Sequence, residues 1–151
     1  MAEAAAVCLE DRKHTPGISL LVDGSYRRTM LLSWERVSNQ QQQTYADLHE
    51  ATEYGACAIA ILVVENTTRN VVVERSKKGT FFDYWVGSEG KGELFQGRAR
   101  LEVSGILNGD DKKVEMRVAQ KLEQVKQAKG KLPTYVAVVE FGRPKARVVR
   151  K

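Results

Sequence analysis

Two short apolar stretches separated by a turn signal stand near the start of the chain. They cover residues 18–22 and 29–34, and Asp23-Gly24 follows the first of them. An Asp-Gly pair between two apolar runs is a strong signal for a tight turn between strands. The pattern therefore predicts a β-hairpin over residues 18–34, and residues 1–15 before it are expected to be a flexible lead-in.

The first predicted helix covers residues 44–64. Ala, Leu, Glu and His come early in it and an apolar half follows. Thr44 with Asp47 three residues later gives a weak capping signal. The density of Ala and Gly in residues 55–60 indicates close packing against a sheet. The polar segment 38–43, with its short run of glutamines, is predicted to be a linker.

Three strands are predicted after this helix. Residues 71–75 are strongly β-branched, residues 81–86 are apolar with Asp83 in their middle, and residues 98–107 form the third candidate. The glycines of residues 87–97 predict a mobile loop between the second and third strands.

A second helix and a final strand complete the pattern. Residues 112–129 carry an apolar stripe at helical spacing, and Gly130 ends the helix. Residues 135–141 are nearly all apolar, so this strand is predicted to lie in the centre of the sheet. Residues 142–151 are interpreted as a basic tail, within which 146–149 is a candidate edge strand.

The order of these elements predicts one domain covering residues 1–151. It runs hairpin, helix, three strands, helix and strand, which indicates an α/β fold with a mixed sheet. A chain of 151 residues is long enough to bury a core. Its apolar runs are shorter than the roughly 20 residues of a membrane span, so a cytoplasmic protein without a membrane partner is expected.

The charge of the chain permits a polyanionic partner without requiring one. The net charge is +5, and basic residues concentrate in the second helix and the tail. Such stripes suit phosphate backbones, although a solvated helix face is the simpler interpretation of any single lysine. The residues predicted to contact nucleic acid are Arg98, Arg100, Lys112, Lys113, Arg117, Lys126 and Lys129.

Four carboxylates are candidates for chemistry. Glu50 and Glu53 are three residues apart and share one helix face, while Asp83 and Glu102 lie inside strands built of large apolar side chains. Neighbouring antiparallel strands would bring Asp83 and Glu102 within reach of each other if the register allows. A solvent-exposed sheet face explains either residue alone. Both together favour a site for Mg²⁺ or Mn²⁺, which prefer oxygen ligands.

The element order then suggests a family. A helix, three strands with Asp in the second and Glu in the third, a helix and a strand resemble the core of the PD-(D/E)XK, or restriction-endonuclease-like, nucleases over residues 44–141. The resemblance implies a restriction-endonuclease-like αβββαβ core preceded by the hairpin. It also implies an Mg²⁺- or Mn²⁺-dependent nuclease for which DNA is favoured over RNA, working as a homodimer or with a partner subunit.

The motif residues carry over with one departure. The resemblance assigns Glu53, Asp83 and Glu102 as catalytic metal ligands, with Glu50 as the alternative helix glutamate. Ser104 stands where the Glu-X-Lys motif has its lysine, and no proline precedes Asp83. Members of the superfamily move or replace this lysine. The candidates for its role here are Lys121, Gln120 and Gln124 on the second helix and Lys78 in the turn before Asp83.

Two other functions stay open from the sequence. Ser104 favours a catalytically weak or inactive subunit of the same fold, which would bind nucleic acid or a partner protein in a bacterial defence or mobile-element complex. Carboxylates that bind no metal would instead indicate a plain interaction module. Metal binding separates the nuclease from the interaction module, and metal-dependent cleavage separates it from the inactive subunit.

Overall fold

One seven-stranded mixed sheet organises the protein. The computed structural model describes residues 1–88 and 99–151, and the predicted α/β class with a mixed sheet is confirmed. The elements are α1 (Ala2–Asp11), β1 (Ile18–Gly24), β2 (Arg28–Leu32), α2 (Asn39–Thr44), α3 (Leu48–Thr67), β3 (Asn70–Arg75), β4 (Tyr84–Ser88), β5 (Ala99–Ile106), α4 (Asp111–Val125), β6 (Thr134–Glu140) and β7 (Lys145–Arg150).

The strand order of the sheet is β2-β1-β7-β6-β5-β4-β3. Strands β3, β4 and β5 are consecutive and antiparallel, whereas β6 lies parallel to β5. A parallel neighbour needs a crossover connection, and α4 supplies it. The predicted hairpin is confirmed as β1 and β2, and β1 joins the rest of the sheet by pairing in parallel with β7.

Helices cover both faces of the sheet. Helices α1 and α3 contribute to the larger apolar cluster, together with residues of most strands. Helix α4 covers the other face, where Val114 and Val118 pack with Ile106 and Val138 in a smaller cluster. The stripe predicted for the second helix is therefore its buried face, and Leu122 packs against the same cluster.

The prediction of a flexible lead-in over residues 1–15 is wrong. Residues 2–11 form α1, in which Ala4 and Cys8 are fully buried. The reason is close helix packing: a Cβ placed on Gly55 of α3 would lie 2.8 Å from the Cα of Ala5. Small residues on both helices allow this approach, and the Ala-rich sequence favours the helix.

Two helix boundaries also differ from the prediction. The expected linker 38–43 contains α2, whose start is stabilised by a reciprocal capping box between Ser38 and Gln41. Helix α3 begins later than predicted because Asp47 is its N-cap and accepts hydrogen bonds from the N–H groups of His49 and Glu50.

Asp83 precedes β4 and does not lie inside it, as the sequence had suggested. The strand begins at Tyr84 because Phe81 has a left-handed backbone, with φ of 66°. Such a conformation interrupts an extended strand and costs on the order of 1–3 kcal/mol for a residue that is not glycine. The N–H of Asp83 still donates to the carbonyl of Leu101 on β5, at 2.9 Å.

The C-terminal segment is neither a tail nor an edge. Strand β7 lies between β1 and β6 in the sheet, so the prediction of an edge strand at 146–149 is wrong. Two of its basic side chains are paired: Lys145 and Arg147 contact the Asp23 carboxylate at 2.9 and 3.3 Å. Strand β7 lies inside the sheet because it pairs with β1, and no local sequence pattern in the segment 142–151 predicts this pairing.

Part of the predicted glycine-rich loop and Arg98 fall on residues 89–98, outside the described residues. Gly87 and Ser88, at the start of that predicted loop, belong to β4. None of the helices in the described ranges is both long enough and apolar enough to cross a membrane.

Gly105→Ala is expected to lower the free energy of unfolding by about 1–3 kcal/mol, the usual cost of overpacking. Its new Cβ would meet the carbonyl oxygen of Thr52 on α3 at 2.4 Å. Gly87→Ala is the matched control in β4, because within residues 1–88 and 99–151 its Cβ would touch just the Val73 side chain, at 3.4 Å. Urea unfolding compares the two variants, and equal stabilities would contradict close contact of α3 with β5.

Candidate functional site

The candidate site lies where β4 and β5 part. Among the described residues, β4 is paired with β5 at residues 99–101. Beyond this point two acidic side chains bond to the backbone of β5. The N–H of Val103 donates to Asp83 Oδ2 at 2.9 Å, and the N–H of Gly105 donates to Glu53 Oε2 at 3.2 Å. Two of the predicted carboxylates therefore stand along one edge of β5.

Glu102 contributes the third carboxylate from the neighbouring position of β5. It is 2% exposed. Its Oε1 accepts hydrogen bonds from Lys121 Nζ at 2.6 Å and from Gln124 Nε2 at 2.9 Å, both on α4. Lys121 also donates to Gln124 Oε1 at 3.2 Å, which fixes the two side chains relative to each other.

Burial makes the charge on Glu102 unfavourable. Desolvation and then the nearby charge of Asp83 raise the pKa of Glu102 to about 7, although Lys121 and Gln124 act in the opposite direction. Two carboxylates that repel each other in a partly buried place are a typical arrangement at functional sites. A cation beside Glu102 would favour the charged form of this carboxylate.

Ser104, at the position of the missing motif lysine, faces α4. Its Oγ accepts a hydrogen bond from Arg117 Nη1 at 2.7 Å, and the same guanidinium lies 4.0 Å from Glu53 Oε1. Arg117 and Lys121 are four residues apart and share one face of α4. They lie over Ser104 and Glu102, which are two residues apart on β5 and share one face of the strand.

A cleft of about 540 Å³ lies beside these groups. It is lined by Glu53, Asp83 and Glu102, by Lys121 and Gln124, and by the β3–β4 turn, residues 76–82. Of the four candidates for the lysine role, Lys121, Gln124 and Lys78 line this cleft. Gln120 is exposed on α4.

The donor set fits a divalent cation of the Mg²⁺ type. No group of three or more His, Cys, Asp or Glu side chains is placed to hold a metal ion within residues 1–88 and 99–151. Mg²⁺ is commonly bound by one or two carboxylates with several waters completing its shell. Asp83 and Glu102 supply such a pair. Glu53 lines the same cleft, but its carboxylate contacts Gly105 and Arg117.

Glu53, and not Glu50, is the helix glutamate that reaches β5. It lies one turn further along α3, and its carboxylate bonds to the edge of the strand. Glu50 is exposed in the first turn of the helix, where its N–H donates to the cap residue Asp47 at 3.3 Å.

Arg100, which the sequence predicted to contact nucleic acid, is buried, and its partners lie within the protein. Its guanidinium donates to the carbonyl oxygens of Gly130 and Lys129, just after α4, and lies over the ring of Phe82. A residue 4% exposed with these partners supports the segment behind the cleft. Desolvation lowers the pKa of Arg100, in keeping with its burial.

The other predicted nucleic-acid contacts are divided between several partners. Lys113 Nζ donates to the carbonyl of Asn108 at 3.0 Å, and Lys126 pairs with Glu123. Lys112, Lys126 and Lys129 are exposed. Of the members of this set that the structure describes, Arg117 approaches a candidate carboxylate, that of Glu53.

The sequence reading missed the part of the β3–β4 turn that faces the carboxylates. Arg75, Lys77 and Phe81 line the cleft with Asp83. The sequence predicts a turn before Asp83, but its pattern contains no signal that Phe81 leaves the strand.

Comparison of the chain with protein-family models, with curated proteins and with solved structures finds no match. A function has to be argued from the geometry and chemistry of the site.

Glu102→Gln should change how stability depends on pH. The folded-state pKa of about 7 lies above the ordinary 4.5, so the folded protein binds more protons than the unfolded chain between these values. The stability that protonated Glu102 contributes is fully present below pH 4.5 and is lost as the pH rises through 7. For a shift of this size the loss is about 3 kcal/mol.

Urea unfolding of both proteins in a chelating buffer measures the difference. The free energy of unfolding of the wild type should fall relative to that of Glu102→Gln as pH rises through the window. Glu123→Gln, which removes an exposed carboxylate paired with Lys126, serves as the control. Parallel curves for wild type and Glu102→Gln would contradict the raised pKa.

Proposed function

We propose that this protein is a metal-dependent nuclease of the PD-(D/E)XK type that hydrolyses phosphodiester bonds in nucleic acid, with DNA favoured over RNA. The observation that carries the proposal is the meeting of Asp83, Glu102 and Lys121 in one cleft. An acid before one strand, an acid in the next strand and an ammonium group beside it supply the three functional groups of that motif.

The order and direction of the elements support the same conclusion. Helix α3 is followed by the antiparallel strands β3, β4 and β5, then by α4, then by β6 parallel to β5. This order agrees with the αβββαβ core that the resemblance implies, and it supports the proposal. Under this proposal the hairpin, β7 and α1 are additions around the core.

Each side chain has a role that follows from its contacts. Asp83 and Glu102 would hold Mg²⁺ or Mn²⁺, which polarises a phosphate and lowers the pKa of a bound water. The buried Glu102 is costly to ionise alone, so cation binding and loss of its proton are coupled. Lys121 donates to Glu102, and its ammonium can also orient a water or a phosphate oxygen within the cleft. Gln124 holds Lys121 in place.

Lys121 takes the place of the lysine that the motif would have at Ser104. Its Nζ lies 2.6 Å from Glu102 Oε1, although it comes from α4 and not from β5. Ser104 is occupied by its hydrogen bond with Arg117. A lysine moved to the facing helix preserves the ammonium beside the carboxylate without occupying the strand position.

The alternative function is a catalytically inactive subunit of the same fold that binds nucleic acid or a partner protein. The ion pair of Lys121 with Glu102 favours this alternative, because the lysine neutralises a carboxylate that the nuclease needs for its cation. Assembly as a homodimer or with a partner subunit stays a prediction under both functions.

Asp83→Asn and Glu102→Gln are expected to reduce Mg²⁺- or Mn²⁺-dependent cleavage by at least about 100-fold each, which corresponds to about 3 kcal/mol of transition-state stabilisation. Cleavage of labelled single-stranded DNA, duplex DNA and RNA measures the effect. Asp111→Asn is the matched control, since this exposed carboxylate on α4 pairs with Lys145, away from the cleft.

Three outcomes of this assay separate the functions. Loss of cleavage in both variants with normal folding supports the nuclease. Cleavage that survives both substitutions contradicts the assigned site. Absence of cleavage by pure wild type on every substrate, with nucleic-acid binding retained, supports the inactive subunit.

Lys121→Ala should lower the cleavage rate by about 10²- to 10³-fold, the usual effect of removing one preorganised group from an active site. Adding Ser104→Lys should restore part of the activity, because residue 104 lies on the same face of β5 as Glu102. Ser104→Met in the Lys121→Ala protein adds a similar length without charge and controls for packing. Equal rates for the lysine and methionine variants would contradict the relocated lysine.

A further inference from the structure

An exposed aromatic residue stands in the β3–β4 turn, two positions before Asp83. Phe81 is 40% exposed, although it is a large apolar residue, and it lines the same cleft as Glu102 and Lys121. Its backbone has the left-handed φ of 66° that bulky residues rarely adopt. A strained residue that persists is held by its surroundings, and such residues cluster at ligand-binding sites.

Hydrogen bonds hold the turn that carries Phe81. Ser76 Oγ and Thr80 Oγ1 both donate to the carbonyl oxygen of Phe82, and the N–H of Ser76 donates to the carbonyl of Asp83 at 2.8 Å. The turn is thereby tied to the residue that would bind the cation. The backbone of Phe81 is therefore held close to Asp83 by hydrogen bonds within the turn itself.

The next residue explains why Phe81 points outward. Phe82 is 7% exposed and packs edge-on against Trp85, with ring centroids 4.6 Å apart, under the guanidinium of Arg100. Burial of this ring anchors the turn in the protein. Because the backbone of Phe81 is left-handed, the ring of Phe81 stays at the surface of the cleft and out of the core.

Two cations precede Phe81 in the same turn. Lys77 and Lys78 belong to the same turn and line the same cleft, and both are exposed. Neither ammonium forms an ion pair with a residue in the described ranges. An aromatic face beside uncompensated positive charge is the combination that binds single-stranded nucleic acid, in which bases stack on rings and cations follow the backbone.

We propose that Phe81 stacks on an unpaired nucleobase, so that the substrate of the cleft is single-stranded nucleic acid held by Lys77 and Lys78 through its phosphates. The inference rests on the proposed nuclease function and names its substrate class. In a duplex each base face is already stacked on its neighbour, so a ring fixed at the cleft wall has no free base to contact.

The test measures binding of a labelled single-stranded oligonucleotide and of the same sequence as a blunt duplex, by fluorescence anisotropy in Ca²⁺ with the probes verified as uncut. Phe81→Ala should weaken single-strand binding about 5- to 100-fold, the loss of one base stack, and leave duplex binding unchanged. Phe81→Trp should keep the affinity. Single strands of DNA and of RNA are both used. A loss of affinity in Phe81→Ala for either kind of single strand supports stacking of a base on Phe81.

Three controls separate stacking from folding. Phe81→Ala keeps the left-handed backbone strain at residue 81, whereas Phe81→Gly removes it. The glycine variant should therefore unfold at a higher temperature than the alanine variant. It should still bind single strands weakly, because it also lacks the ring. Leu31→Ala removes an apolar side chain that is 74% exposed on β2, the far edge of the sheet, and should bind as wild type. Lys78→Ala should weaken both probes equally and reduce the salt dependence.

A fluorescent base analogue in the single strand gives the direct readout. Stacking on Phe81 should quench 2-aminopurine in the wild-type complex, and the quenching should be lost with Phe81→Ala. Wild-type affinity of Phe81→Ala, or an equal loss for duplex and single strand, overturns the inference while the metal-dependent cleavage assay still decides the nuclease. Failure of wild type to bind any nucleic acid overturns the nuclease and this inference together.

Discussion

The need to bond the backbone N–H groups of β5 beyond its pairing with β4 organises the candidate site. An unbonded N–H in the protein interior costs free energy comparable to a lost hydrogen bond. Asp83 and Glu53 meet this need at Val103 and Gly105 with their carboxylates. The two acids are thus held along one edge of the strand by the same backbone groups that they satisfy, and the opening between the strands becomes the cleft.

The crossover between β5 and β6 brings the remaining groups to that opening. Helix α4 must lie over the sheet so that β6 can pair in parallel with β5, and it presents two long cations four residues apart. Arg117 meets Ser104, and Lys121 meets Glu102. Because Glu102 is buried, its pKa rises to about 7. The carboxylate of Glu102 therefore either keeps its proton or is ionised with a positive charge beside it, that of Lys121 or of a bound cation.

Much of this arrangement could be predicted from local patterns. The β-branched run in β3, the apolar stripe of α4 and the Asp-Gly turn of the hairpin each gave an element of the right type. Asp83, Glu102 and Lys121 were also identified as candidates. The pattern misplaced residue 83 inside a strand, because periodicity contains no signal for the left-handed backbone of Phe81. It also missed α1, whose helix is stabilised by packing against Gly55.

The sequence by itself determined the hairpin, the order of the elements from α3 to β6 and the chemical groups available, since these follow from residue type and spacing. Only the tertiary structure decided which groups meet. Burial of Glu102 under α4, the contact of Glu53 with Gly105, and the interior place of β7 arise from partners distant in the chain. The basic residues of β7 show the same dependence on distant partners. Their local sequence predicts a polyanion-binding tail, yet Asp23 neutralises two of them because β1 pairs with β7.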